Sequence, residues 1–348
     1  MPRIALDAMG GDRGPVELVA GAVQAAQLFH LDVVLVGDEP VLRAALEAMS
    51  GEGPGLSIVH ASQVVAMDEA PIEAVKRKKD SSIVRACELV RRGEADAVVS
   101  AGNSGATMAA AVTTFGRLKG VARPGIASIF PTLKDPLVMM DVGANVDCRP
   151  QHLFQFGLMA AAFSACALGR ERPRVGLLSI GEEGGKGNAL VKKAHDLFQK
   201  SSLNYVGNVE GRDTFLGDVD VIVCDGFVGN VCLKLSEGLA EALVAMLRLE
   251  LERTFLAKVG YLLAKRAFKA FRRRVDYAEY GGAPLLGLKG TGIVCHGRSN
   301  AKAIMNAIRM AGEGVERHVN EHLLELLAAA AHLTAAEGAA MPPGGDGR

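Results

Sequence analysis

ALDAMGGD, residues 5–12, starts as an apolar run and ends in two glycines and an aspartate. The device returns as SAGNSGA (100–106), DVGAN (141–145), GEEGGKGN (181–188) and CDGFVGN (224–230). Each follows a short apolar run and leads towards a segment with helical spacing. Strand-like runs read at Ile4–Ala8, Val33–Gly37, Leu56–His60, Ala97–Ser100, Leu137–Asp141, Val175–Ile180, Leu203–Val206, Val219–Cys224 and Gly292–Cys295. Between most of them lie 3.6-residue periodicities, such as Glu17–Phe29, Val41–Met49, Ser82–Arg91 and Asn188–Gln199. This alternation predicts an α/β fold, a mainly parallel sheet with helices on both faces in three Rossmann-like layers. Such sheets bind ligands beyond the carboxyl ends of their strands, where helix N-termini favour anions. All five loops occupy that position.

Composition narrows the field. The 348 residues carry 39 basic and 39 acidic side chains, and that balance argues for no nucleic-acid partner. The 41 glycines concentrate in the quoted loops, as close backbone approaches to a ligand require. Cysteines 87, 148, 166, 224, 232 and 295 show no CxxC or metal-ligand spacing and read as reduced core residues of a cytosolic protein. MPRIALDAMGGD has no signal-peptide apolar region, and the apolar stretch Leu158–Leu168 is too short to span a bilayer. No low-complexity linker divides the chain, so residues 1–335 read as one α/β/α domain, and 338–348 as a disordered tail. The stretch Val231–Val275 has no strand signal and reads as a projecting helical hairpin. Its second part holds seven Lys or Arg and no acid between Ala257 and Val275, with a bend expected near Ala264–Arg266. A basic segment interleaved with Val259, Leu262, Leu263 and Phe268 suits a membrane surface or a dimer contact.

The motifs exclude some chemistry. No GxGxxG follows a strand, which weakens a dinucleotide site. GEEGGKGN lacks the Ser or Thr that a nucleotide P-loop needs after its lysine, yet Lys186 in that loop suits a phosphate or a developing oxyanion. Asn103 and Ser104 stand where a strand gives way to a helix, suited to capping and phosphate hydrogen bonds. Asp225 and Asn230 stand at another such junction, and Asn230 is a neutral polar group beside Gly229. His296, in CHGRSN, is a further phosphate donor candidate. HVNEH (318–322) matches HxxEH but reads as a polar surface helix.

Together, ALDAMGGDRGP (5–15), MDEAPIEAVKRKKDSS (67–82), SAGNSGATMA (100–109), DVGANVDC (141–148), GNVEGRD (207–213), CDGFVGNVCLK (224–234) and YGGAPLLG (280–287) resemble the PlsX family, the bacterial phosphate acyltransferases of phospholipid synthesis. The resemblance runs to about residue 322 and implies an enzyme that moves the acyl group of acyl carrier protein (acyl-ACP) onto inorganic phosphate. It implies a homodimer akin in fold to phosphotransacetylases and isocitrate-dehydrogenase-like enzymes, peripheral to an anionic membrane. A glycerol-3-phosphate acyltransferase would consume the acyl phosphate. No cofactor or metal is implied.

On that reading phosphate is itself the nucleophile, so no serine or cysteine nucleophile is required. The loops carrying Gly10, Gly11, Asp12, Gly143, Asn145 and Gly229 are expected to hold phosphate, with Asn103, Ser104, Asp225 and His296. Lys186 and Asn230 are expected to stabilise the oxyanion. Asp12 and Asp141 are also readable as structural loop caps. Lys76, Arg77, Lys78 and Lys79 form the expected docking face for acidic ACP. A CoA-dependent short-chain phosphate acyltransferase, an NAD-dependent dehydrogenase and a non-catalytic membrane-docked scaffold are the alternatives.

Overall fold

Alternating burial along β1 (Arg3–Asp7) explains how the layers form. Ile4 and Leu6 enter one apolar cluster and Ala5 the opposite one, as the two-residue period of a strand dictates. The structure, a computed structural model, describes residues 1–49, 55–275 and 277–333, so the tail 338–348 lies outside the described residues. After β1 come α1 (Pro15–Phe29), β2 (Asp32–Gly37), α2 (Glu39–Ala48), β3 (Leu56–His60), α3 (Pro71–Arg77), α4 (Ser82–Arg91), β4 (Ala97–Ser100) and α5 (Ser104–Thr114). Next are β5 (Gly125–Phe130), β6 (Leu137–Met140), α6 (Pro150–Leu168), β7 (Val175–Leu178), α7 (Ala189–Gln199), β8 (Tyr205–Val209) and β9 (Val221–Val223). The chain closes with α8 (Gly226–Arg253), α9 (Phe255–Val275), β10 (Ala283–Leu286), β11 (Thr291–Val294), α10 (Ala301–Glu316) and α11 (Val319–Ala329).

All eleven strands of the described residues join one sheet in the order β3-β2-β1-β4-β11-β10-β5-β6-β9-β7-β8. Seven of its ten pairings are parallel. The three antiparallel ones, β11–β10, β10–β5 and β5–β6, fall together in the middle. Three reversals leave the two parallel blocks, β3-β2-β1-β4-β11 and β6-β9-β7-β8, running in opposite directions. Neither β5 nor β10 was expected from the sequence pattern. The five glycine loops therefore form two groups, one at the carboxyl ends of each block.

Twist reconciles the two groups. Neighbouring strands rotate by about 20–25°, so the six steps from β1 to β9 turn the strand direction by roughly 120–150°. A twist of that size, added to the reversal, would bring the carboxyl ends of both blocks towards one side. Packing agrees: the cluster holding Ala106, Ala110 and Ala111 of α5 also holds Val142 and Cys224, with Ala144, Cys232 and Leu233 packed against it.

Two expectations about helices need correction. The apolar helix containing Leu158–Leu168 begins at Pro150 and is 19 residues long, enough by length and composition to cross a membrane. It is instead a core helix, with 72% of that apolar window buried, because Leu153, Phe154, Phe156 and Met159 pack beneath the sheet. The hairpin breaks at Thr254, in extended backbone, and not near Ala264–Arg266, which lie within continuous α9. The Thr254 hydroxyl accepts from the Ala257 amide at 3.1 Å and caps α9.

Candidate active site

In the first loop group, β1 ends in Asp7, whose side chain is 3% exposed. The Ser100 hydroxyl donates to its Oδ2 at 2.7 Å, and the Gly102 amide donates to Ser100 Oγ at 3.1 Å. Burial raises the Asp7 carboxyl pKa, and hydrogen bonds from Ser82 and Ser100 oppose the rise. This buried acid fastens the β1 loop to the β4 loop. Gly10 lies at the seam, where a Cβ would come within 2.8 Å of Asp7 Oδ2 and the Gly102 backbone. Asp7 was not singled out from the sequence, although an aspartate ending an apolar strand is its visible signal.

The structure brings Asp12 and His296 into this group. The Asp12 amide donates to the Gly297 carbonyl at 2.7 Å, and His296 Nδ1 accepts from the Arg298 amide at 3.1 Å. Gly11 stands beside Ala101 and Gly297 with a positive φ of 92°. Asn103 caps α5 through the Ala106 amide at 3.0 Å. Its own amide donates to the carbonyls of Met67 and Glu69 at 3.0 and 3.1 Å, tying the loop before α3 to the site. Ser104 follows it with an exposed side chain.

The second group is built around another buried acid. Asp141 accepts from the amides of Ile126, Gly143, Ala144 and Asn145 at 2.7–3.2 Å and from the Asn145 side chain at 2.8 Å. Burial raises its pKa, and those donors offset part of the rise. Asn145 is buried, and its side-chain nitrogen also donates to Pro124 O at 2.8 Å. The DVGAN amides thus face the protein's own carboxylate, and Asn145 braces the loop. Asp225 caps α8 through the amides of Phe227 and Val228, at 3.0 and 2.9 Å.

Close backbone approach joins these two loops. The Gly226 amide donates to Asn145 O at 2.7 Å, and a Cβ on Gly229 would fall 1.9 Å from Asp141 O. Asn230, exposed on the first turns of α8, is thereby set against Gly143: its Oδ1 is 3.7 Å from where a Gly143 Cβ would stand. Cys148 lies beside them, its thiol donating to Asn145 O at 3.3 Å, and burial pushes its pKa up to about 11. Arg149 donates its amide to His152 Nδ1 at 3.1 Å. Burial lowers the His152 pKa, as do Arg123 and Arg149 nearby.

Lys186 belongs to this block, in the loop after β7. Glu182 to Lys186 are all exposed, and the Lys186 stem lies against Gly181. The turn is closed by the Lys186 amide donating to Glu183 O at 2.9 Å, and Asn188 caps α7 through Val191.

Away from the loops, Lys78 is held internally by Glu69 and by Val64 O at 2.7 Å, so the exposed cations of the KRKK patch are Lys76, Arg77 and Lys79. On α9, Val259, Leu262 and Leu263 are exposed, but Phe268 packs on Tyr261 with ring centroids 5.2 Å apart. Phe255 and Leu256, missed in the sequence, are more than three-quarters exposed at the hairpin turn. In HVNEH, His318 pairs with Glu321 at 3.1 Å and His322 with Glu325 at 3.5 Å along a surface helix.

Comparison with known proteins adds identity to this geometry. Residues 2–322 match the family described as fatty acid synthesis protein. A phosphate acyltransferase of Nitratidesulfovibrio vulgaris is 57% identical over 332 residues, covering 95% of this chain and 96% of the relative. Among solved structures, a phosphotransacetylase from Streptococcus pyogenes is similar with a TM-score of 0.60 at 18% identity, over 90% of this chain and 94% of its own. A 4-hydroxythreonine-4-phosphate dehydrogenase from Klebsiella pneumoniae is similar with a TM-score of 0.54 at 16% identity, over 90% of this chain and 100% of its own. At those identities the two structures speak for the fold alone.

Proposed function

The chain belongs to the fatty acid synthesis protein family, among the phosphate acyltransferases, and from that premise we propose that it transfers a fatty acyl group from acyl-ACP to inorganic phosphate. A phosphate oxygen attacks the thioester carbonyl, a C–O bond forms and the C–S bond breaks. The products are acyl phosphate and the free ACP thiol, and the phosphate's own proton balances the departing thiolate. The observation that carries the proposal is the 57% identity to a phosphate acyltransferase over almost all of both chains.

The residues supply positioning and charge. The two acid-braced loop groups form rigid walls, and a fixed site lets one bound anion meet one thioester without reorganisation. Asn230, on the α8 N-terminus beside Gly143, donates to the developing oxyanion, and Lys186 neutralises the charge gathered there. Gly10, Gly11, Asp12, Ser104 and His296 line the facing loops, with Asn103, Asn145, Asp225 and Gly229 holding the walls in place.

Carrier, membrane and dimer are assigned to three surfaces. Lys76, Arg77 and Lys79, exposed on and beside α3, meet acidic ACP. Phe255, Leu256, Leu262 and Leu263 at the hairpin turn, followed by the basic face of α9, meet an anionic lipid surface while the enzyme stays cytoplasmic. Val228, Val231, Leu235, Leu239, Leu243, Met246 and Leu249 recur at three- and four-residue spacing and are all exposed, an apolar stripe about 32 Å long on α8 that a second copy would cover.

Donor competition tests the proposal. With phosphate present, palmitoyl-ACP, palmitoyl-CoA and acetyl-CoA are offered at equal concentration and their loss is followed by mass spectrometry. Preferred consumption of palmitoyl-ACP is expected. Preference for acetyl-CoA would replace this reading with a CoA-dependent phosphate acyltransferase.

A further inference from the structure

We infer that Asn208 is a positioning residue for Lys186, an assignment that rests on reading Lys186 as the charge-stabilising group. Asn208 lies on β8, 5% exposed, and its side-chain nitrogen donates to Glu183 O at 2.9 Å. The Lys186 amide donates to that same carbonyl at 2.9 Å. One oxygen therefore receives both the buried anchor and the residue the anchor positions. The remaining side-chain tie described for this stretch, Arg212 to Glu182 at 3.1 Å, is an exposed ion pair of little holding power.

What the amide leaves unused supports the assignment. Asn208 Oδ1 is buried without a hydrogen-bond partner, and so is Ser179 Oγ. Parallel register pairs Leu177 with Asn208, which puts Asn208 and Ser179 on the same face of the sheet. Ser179 Oγ lies 3.0 Å from where a Cβ on Gly187 would stand, directly under the residue after Lys186. A buried amide with an idle oxygen is a costly choice for a strand position that a valine or leucine would fill without penalty. The bond to Glu183 O is what asparagine supplies there and an apolar residue cannot.

The test combines exchange and kinetics in the full-length enzyme. Asn208→Ala and the near-isosteric Asn208→Leu should speed amide exchange across 183–187 and lower kcat by roughly 10- to 100-fold, with little change in KM for acyl-ACP. In a Lys186→Ala background the same substitutions should change kcat by less than about twofold, since residues acting through one another are not additive. Unchanged exchange, or a full additional kcat loss in that background, would overturn the inference. Should both variants fold poorly, the wild-type chain still decides: the Lys186 amide should exchange more slowly than the Gly185 amide, and equal rates overturn the anchor. If Lys186→Ala proves fully active, the catalytic reading of Lys186 fails while the exchange results still judge the positioning.

Discussion

Asp141–Asn145 and Gly181–Asn188 leave strands of one parallel block at the same edge of the sheet, and they use their backbones in opposite ways. In the first, three consecutive amides close on the carboxylate of Asp141, and Asn145 locks the turn to Pro124. In the second, residues 182–186 are exposed and the described anchor is a single buried amide beneath the turn. Glycine content marks where a strand turns into a helix in both. The difference is the buried acid: Asp141 gathers the amides of the first loop, whereas among the described residues no carboxylate accepts from an amide of the second, where the Lys186 amide turns back to Glu183 O.

Chemistry should therefore rest on exposed side chains, Lys186 on the open loop and Asn230 beside the closed one, and stability on the acid-braced backbone. The largest effects are expected from Lys186→Ala and Asn230→Ala, each lowering turnover by ~100- to 1,000-fold with the circular dichroism spectrum and Tm unchanged. Near-normal kcat in both would remove them from the mechanism. Asp141→Ala leaves the amides of Ile126, Gly143, Ala144 and Asn145 without their acceptor and should cost about 3 kcal/mol in urea unfolding. A change below about 0.5 kcal/mol, ordinary for a surface substitution, would mean that the carboxylate does not hold the wall.

Smaller substitutions sharpen the contrast. Gly229→Ala forces a methyl group against Asp141 O and should cost ~1–3 kcal/mol, whereas a Cβ on Gly185 meets nothing within 4 Å and Gly185→Ala should leave stability unchanged. Equal effects of the two would erase the distinction between the loops. The weakest effect is a pH dependence. Burial, with Arg123 and Arg149 nearby, lowers the His152 pKa in the fold, so the unfolded chain takes up the extra proton first as pH falls. Stability is full above the unfolded value of about 6.5 and declines as pH falls below it towards the folded value. Unfolding curves at pH 8 and pH 5 should show that decline in the wild type and less of it in His152→Gln.

Much of the fold was legible because βαβ units advertise themselves. Nine strand runs were readable as short apolar segments, five of them running into glycine loops and most followed by a helical period. β5 and β10 escaped for the same reason, since neither is followed by a helix. GIASIF passes to β6 through Pro131 to Pro136, and APLL carries Pro284, whose missing amide argues against an interior strand. Their antiparallel pairing is what reverses the second block, so the sequence placed five loops at strand ends without revealing that they fall into two groups. The hairpin break was misplaced because charge and apolar spacing outweighed the cap signal of Thr254. At the site, residue types were readable and directions were not. Asn145 and Asp225 were both expected to hold phosphate, yet their side chains serve a neighbouring carboxylate and a helix end. Asp7 and Asn208 act through burial, which only the packed chain reveals.

The most direct measurement is a reaction with palmitoyl-ACP in the presence and absence of phosphate, with mass detection of acyl phosphate and free ACP thiol. Both products should appear in equal amounts, and neither should appear without phosphate. Release of free ACP thiol without acyl phosphate, or no turnover by a folded chain that binds acyl-ACP, would contradict acyl transfer to phosphate.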